Sequence, residues 1–183
     1  MNKAAVIIAM LCLTGSWVHA QKWMTRTGKV SFFSSTSVEN IEAFNNEAAS
    51  VVGAKTGEVA FIVPVKSFKF EKALMQEHFN ENYMESDKFP KAEYKGKITN
   101  ISDVNFSKDG TYNVKTNGRL TMHGVTKEVA TNGTVTVKAG TATIKSKFMV
   151  APSDYGIKIP AISASKIASR IEVTVDSVLK EAK

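Results

Sequence analysis

The sequence has little cysteine, no long apolar run beyond its start and no familiar catalytic motif. Its one cysteine, Cys12, falls within the first 20 residues. That segment reads as a secretory signal peptide. Lys3 supplies the positive start, Ala4 to Leu13 form an apolar run of about ten residues, and Val18-His19-Ala20 ends in a small residue before Gln21. A lipoprotein anchor on Cys12 is the alternative, but Met10-Leu11 ahead of it are not the small residues that such processing wants. With the signal removed, no cysteine remains, which excludes disulfides and thiol chemistry. An exported domain without disulfides must hold together through its core. The apolar run is too short to span a bilayer, which takes roughly 20 residues. The remaining chain, about 163 of 183 residues, fits a single domain over 21–183.

Catalytic constellations are also missing. Outside the signal segment there are two histidines, His78 and His123, on different predicted elements. Glu77-His78 has no second histidine four residues on, so zinc is unsupported. No GxSxG occurs, and no glycine-rich phosphate loop. The sequence therefore assigns no catalytic residue, no metal and no required cofactor, and the protein is expected not to be an enzyme. The formal charge of +7 falls to about +6 when Lys3 leaves. The lysines are spread along the chain, which argues against nucleic acid. A basic exported protein suits transient contact with an anionic membrane surface, or is merely soluble.

What is present is alternation with period two, the mark of half-buried strands. Ala142, Ile144, Ser146, Phe148 and Val150 fall on one face, and Thr141, Thr143, Lys145 and Lys147 on the other. Ile171, Val173 and Val175 alternate with Glu172, Thr174 and Asp176; Tyr94, Gly96 and Ile98 with Lys95 and Lys97. Leu120 and Met122 share a face, as do Val135 and Val137 ahead of a turn at Lys138-Ala139-Gly140. Gly28 to Ser34, with Val30 and Phe32 on one face, Glu39 to Phe44 and Glu58 to Val65 complete about eight strands. Asp109-Gly110, Asn117-Gly118 and Asn132-Gly133 are the predicted turns. Short, evenly spaced strands make an all-β sandwich or closed barrel. Phe70 to Ser86 breaks the alternation: Leu74, His78 and Asn82, and Met75, Phe79 and Tyr83, fall at helical spacing. One helix is predicted here, broken near Asn80 and ending before Pro90.

The strand faces decide the solvent. A membrane barrel needs an apolar outer band, and a lysine at its midplane costs about 2–4 kcal/mol. Here one face is apolar and the other carries Lys, Glu, Thr and Asp, so the charged face is outside and water surrounds it. Eight strands leave an interior that side chains fill or one ligand occupies. Alternation alone does not separate these. Phe68, Phe70, Phe79, Tyr83 and Phe89 gather around the helix with Met75 and Met84, either capping one barrel end or lidding a ligand tunnel.

Several segments resemble the YceI-like family. They are Ser67-Phe68-Lys69-Phe70, His78-Phe79-Asn80, Tyr83 to Pro90, Tyr94 to Ile98, Gly118 to Lys127 and Asp154-Tyr155-Gly156-Ile157. The resemblance spans Gly28 to about Leu179. It departs between Val38 and Thr56, around Asn45-Asn46, where strand pairing is open. The resemblance implies an eight-stranded antiparallel, lipocalin-like barrel in the periplasm. It also implies an extended apolar pocket for a polyisoprenoid, isoprenoid quinone or fatty-acid-like lipid, to be carried or sequestered. On that reading the apolar lining comes from strand positions Phe61, Val63, Tyr94, Leu120, Met122, Ile144 and Phe148, and from lid positions Phe68, Met75, Phe79 and Tyr83. His78, Tyr155 and Lys158 are the head-group candidates, although His78 equally suits a buried structural role, Tyr155 a loop anchor, and His123 a turn. The competing readings are an enzyme acting on a lipid or quinone in the same cavity, and a stress-associated protein with a filled core. The chain is expected to act as a monomer or homodimer.

Overall fold

Alternation becomes two walls in the computed structural model, which describes residues 21–182; the predicted signal segment lies outside the described residues. The strands are β1 (Lys22–Ser35), β2 (Asn40–Gly53), β3 (Glu58–Pro64), β4 (Lys69–Phe70) and β5 (Lys91–Ile98), then β6 (Gly110–Met122), β7 (Val125–Lys138), β8 (Thr141–Val150) and β9 (Ile171–Glu181). They pair in the order β1-β9-β8-β7-β6-β5-β3-β2, and β2 pairs back onto β1, all antiparallel. The two-residue β4 pairs with Ala43 and Phe44 of β2, on the edge where β3 pairs further along. It continues β3 beyond a short turn, so the ring is an eight-stranded closed barrel. Closure leaves the wall no free edge.

The charged face is outside. Lys145 pairs with Asp176 at 3.2 Å and Lys147 with Glu172 at 2.8 Å across neighbouring strands. Such exposed pairs contribute little stability, but they fix which wall meets water. Inward positions are apolar. Trp23, Val52, Ile98, Val104, Phe106 and Leu179 form a buried cluster at the end where the β5–β6 connection crosses. Trp23 and Phe106 rings lie 5.5 Å apart there. Asn100 pins that crossing segment: its Nδ2 donates to Asn113 O and its Oδ1 accepts from Lys115 N.

Three predicted turns and the helix depart from expectation, while the turn at Lys138-Ala139-Gly140 lies where the sequence places it. Asn117-Gly118 and Asn132-Gly133 are not turns but lie inside β6 and β7, and Asp109-Gly110 opens β6 after an irregular connection. The tight hairpins are at His123-Gly124 (φ 51° and 75°) and Ala139-Gly140 (φ 48° and 72°). Two consecutive left-handed residues match the twist of the flanking strands. The helical segment is shorter than predicted. Phe70 is drawn into β4, α1 spans Ala73–His78, and Phe79–Tyr83 form a wider π turn that ends near Glu85 at φ 44°.

The pairing left open between Val38 and Thr56 is settled by β2, which pairs with β1 along its whole length. Register slips between Asn45 and Ala48, where Gly28 and Val30 oppose them. Asn45 is fully buried at this bulge. Its Nδ2 donates to Pro64 O at 2.7 Å, and its Oδ1 accepts from Glu47 N at 2.8 Å. The amide thus replaces ladder bonds lost where β2 passes from β3 to β4. Asn45→Leu should strand these two groups and destabilise the fold by about 1–3 kcal/mol, read as a lower urea midpoint. An unchanged midpoint would contradict this role.

Candidate functional site: an apolar cavity inside the barrel

Between the crossing segment at one end and the helical segment at the other lies a cavity of about 540 Å³. That is within the range of small-molecule sites, roughly 300–1,000 Å³. Toward the closed end its wall is Val59, Ile98, Val114, Val135 and Ile144. At mid-depth Phe61, Tyr94, Leu120 and Phe148 face it, with Val63 and Met122 nearer the open end. Of these mid-depth side chains only Leu120 is buried; the others remain part-exposed although they point inward. They border open space rather than packed neighbours.

The helical segment supplies the other border. Phe68, Met75, Phe79 and Tyr83 all line the cavity. Phe32 sits among Phe68, Phe70 and Phe79 with ring centroids 5.4, 5.7 and 5.5 Å away. The first is tilted, the second edge-on and the third stacked, and aromatic pairs of this kind add to simple area burial. All eleven apolar positions expected from the sequence therefore border one cavity. Phe32, Ile157, Ile159 and Ile167 were missed. Phe32 was legible, since it shares an inward face with Val30. The three isoleucines lie in the irregular β8–β9 connection, where no periodicity marks them.

The polar candidates separate. His78 borders the mouth but is exposed, not the buried structural histidine that was the alternative. Lys72 and Lys166 border the same mouth. Tyr155 and Lys158 do not line the cavity. Tyr155 is 3% exposed and packs with Val65, Met84, Val150 and Ile157, because Gly156 at φ 69° turns the chain back there. Lys158 points to solvent beyond that turn. Burial, with the Asp154 carboxylate beside it, pushes the Tyr155 phenol up from the usual tyrosine range.

His123 ties the mouth together. Its Nδ1 lies 3.1 Å from Tyr155 O and its Nε2 2.7 Å from Glu85 Oε2. One ring nitrogen thus faces a backbone carbonyl and the other a carboxylate. Phe89 packs on the imidazole at 4.6 Å, and a Cβ on Gly124 would come within 2.7 Å of Phe89 Cε1. The hairpin turn, the end of the helical segment and the Tyr155 turn thus meet at one side chain.

A closed antiparallel barrel of eight strands with an apolar interior cavity is the lipocalin-like class. Within it, the chain belongs to the YceI-like domain family, which matches residues 15–179. Among curated proteins no sequence match reaches significance. Solved structures share the fold at low identity. A polyisoprenoid binding domain from Saccharophagus degradans implicated in plant cell wall breakdown is 14% identical with TM-score 0.76, covering 88% of this chain and 98% of its own. BcnA of Burkholderia cenocepacia is 19% identical with TM-score 0.68, covering 82% and 95%. The YceI protein of Campylobacter jejuni is 15% identical with TM-score 0.57, covering 76% and 83%.

Two predictions follow from this geometry. His123→Phe keeps the ring but removes both hydrogen bonds. It should raise amide exchange of residues 65–90 at least several-fold while leaving β6–β9 protected; unchanged exchange there would refute the tie. The raised Tyr155 value sets a second test. Ionisation is opposed in the fold and unopposed in the unfolded chain, so this group's stabilisation is complete below pH 10 and is lost as pH rises through its higher folded value. Tyr155→Phe should flatten the alkaline fall in melting temperature relative to the parent, and parallel curves would contradict it.

Proposed function

We propose that the protein binds one long-chain apolar lipid inside the barrel and carries or sequesters it after export to the periplasm. The lipid is a polyisoprenoid, an isoprenoid quinone or a fatty-acid-like amphiphile. The observation that carries the reading is the cavity of about 540 Å³ whose mid-depth aromatic side chains face open space. The polyisoprenoid binding named for the Saccharophagus degradans relative supports it. The physics favours the same ligands. Each buried methylene gains roughly 0.8 kcal/mol, so an isoprene unit offers about 3–4 kcal/mol before association costs. Cavity length then selects chain length, while the mouth meets whatever part of the lipid stays outside. His78 at the mouth remains a head-group candidate; Tyr155 and Lys158 do not face the lipid. His78 and Tyr155, on which catalysis would turn, do not meet in the cavity, which favours binding over chemistry.

Native mass spectrometry of protein isolated without detergent or organic solvent tests this. A defined mass increment, displaced by added polyprenol, is the expected result. Val173→Trp, which places an indole at the cavity wall, should abolish the increment while the barrel still melts cooperatively. Unliganded parent protein that also ignores added polyprenol would overturn the proposal.

A further inference from the structure

The cavity is not uniformly greasy. Tyr94, Thr116, Thr131 and Ser146 all border it, on four consecutive strands of the wall. Their hydroxyls form a chain: Tyr94 Oη donates to Thr116 Oγ1 at 3.0 Å, Thr116 and Thr131 hydroxyls lie 2.9 Å apart, and Ser146 Oγ lies 3.3 Å from Thr131 Oγ1. Ser146 also donates to Asn132 O at 2.8 Å. Tyr94 packs against both the closed-end cluster and the mouth cluster, so this band lies at mid-depth.

The wall is shaped to hold the phenol there. Gly96 and Gly118 face each other across β5 and β6. A Cβ on Gly96 would stand 2.8 Å from Tyr94 Oη, and one on Gly118 2.7 Å from Tyr94 Cζ. These glycines give up packing so that the ring can lie across two strands and bring its hydroxyl to Thr116. A wall meant only for hydrocarbon would need neither the glycines nor the threonines.

Hydrogen counting shows what the band offers. The Thr116–Thr131 contact consumes one threonine hydrogen. If Thr131 donates, the other hydrogen is that of Thr116, which has no further acceptor among the described residues; if Thr116 donates, it is that of Thr131, whose next neighbour is Ser146 Oγ at 3.3 Å, a long contact. Either way one threonine hydrogen is weakly held and free to turn to a ligand oxygen. Among the described residues no cation joins it: Lys72 and Lys166 are at the mouth, and Lys145, although it borders the cavity, turns an exposed ammonium to Asp176 at 3.2 Å. A buried phosphate or carboxylate would go uncompensated here.

We infer that the Tyr94–Thr116–Thr131–Ser146 band is a subsite for an uncharged oxygen acceptor on the lipid, a carbonyl or hydroxyl held within the barrel. The inference rests on the lipid-binding reading and adds a polar contact at mid-depth, separate from the head-group role of His78 at the mouth.

The test compares a prenyl benzoquinone, a prenol and a hydrocarbon of matched chain length, by competition against a fluorescent lipid. Wild type should bind both oxygenated lipids about threefold to tenfold more tightly than the hydrocarbon. Thr116→Val with Thr131→Val keeps branched side chains in the strands and should erase that preference without weakening hydrocarbon binding. The quinone carbonyl stretch should fall in frequency on binding wild type and return toward its alkane-solution value in the double variant. Equal affinity for all three lipids, or an unshifted carbonyl in wild type, would overturn the subsite while leaving lipid binding intact. Failure to bind any of them would remove both readings.

Discussion

The ring of hydrogen bonds that closes β2 onto β1 is the constraint on which the molecule depends. A closed barrel has a diameter set by strand number and stagger, not by the side chains inside. An open sheet or sandwich could fold its apolar faces together and expel empty space. Here the walls cannot approach further, so inward side chains too small to meet across the barrel leave a cavity. The inward face at mid-depth carries Gly96, Gly118, Thr116 and Thr131 beside its aromatics. Covalent geometry and backbone pairing thus maintain a hydrocarbon-lined space that packing forces alone would close.

The two ends serve different purposes. One is sealed by a buried cluster around Trp23 and Phe106 and by a connection that Asn100 fastens to β6. The other carries the helical segment and the long β8–β9 connection, joined through His123 and through the cluster of Met84, Tyr155 and Ile157. Much of α1 is exposed, Leu74 at 60%. Elements with few buried contacts open at low free energy. A lipid of the proposed kind would enter and leave at this end.

Where burial on one face was strong, the sequence could be read directly. Thr141 to Val150 alternates without interruption, and the structure places its even positions inward as expected. The seven strand positions of the lining were legible for the same reason, and the four lid positions from the cluster of aromatic and methionine side chains around the helix. What escaped depended on contacts distant in sequence. Asn117-Gly118 and Asn132-Gly133 carry the composition of turns, yet their glycines answer to a tyrosine ring and to neighbouring backbone across the sheet. Pairing around Asn45 stayed open because its amide serves a bulge visible only once Pro64 lies beside it. Helical spacing overreached at Phe70, where pairing with Ala43 overrides local preference. Tyr155 and Lys158 sit in a turn without periodicity, so their direction depended on Gly156.

All of this converges on whether a lipid chain occupies the interior. Isotope-filtered NMR on labelled protein mixed with unlabelled polyprenol measures it directly. Cross-relaxation from the lipid methyls to Leu120, Phe148 and Val173 is the predicted result, since these side chains face the cavity from three different strands. Contacts confined to exposed residues such as Ile162, or none at all, would contradict an interior guest.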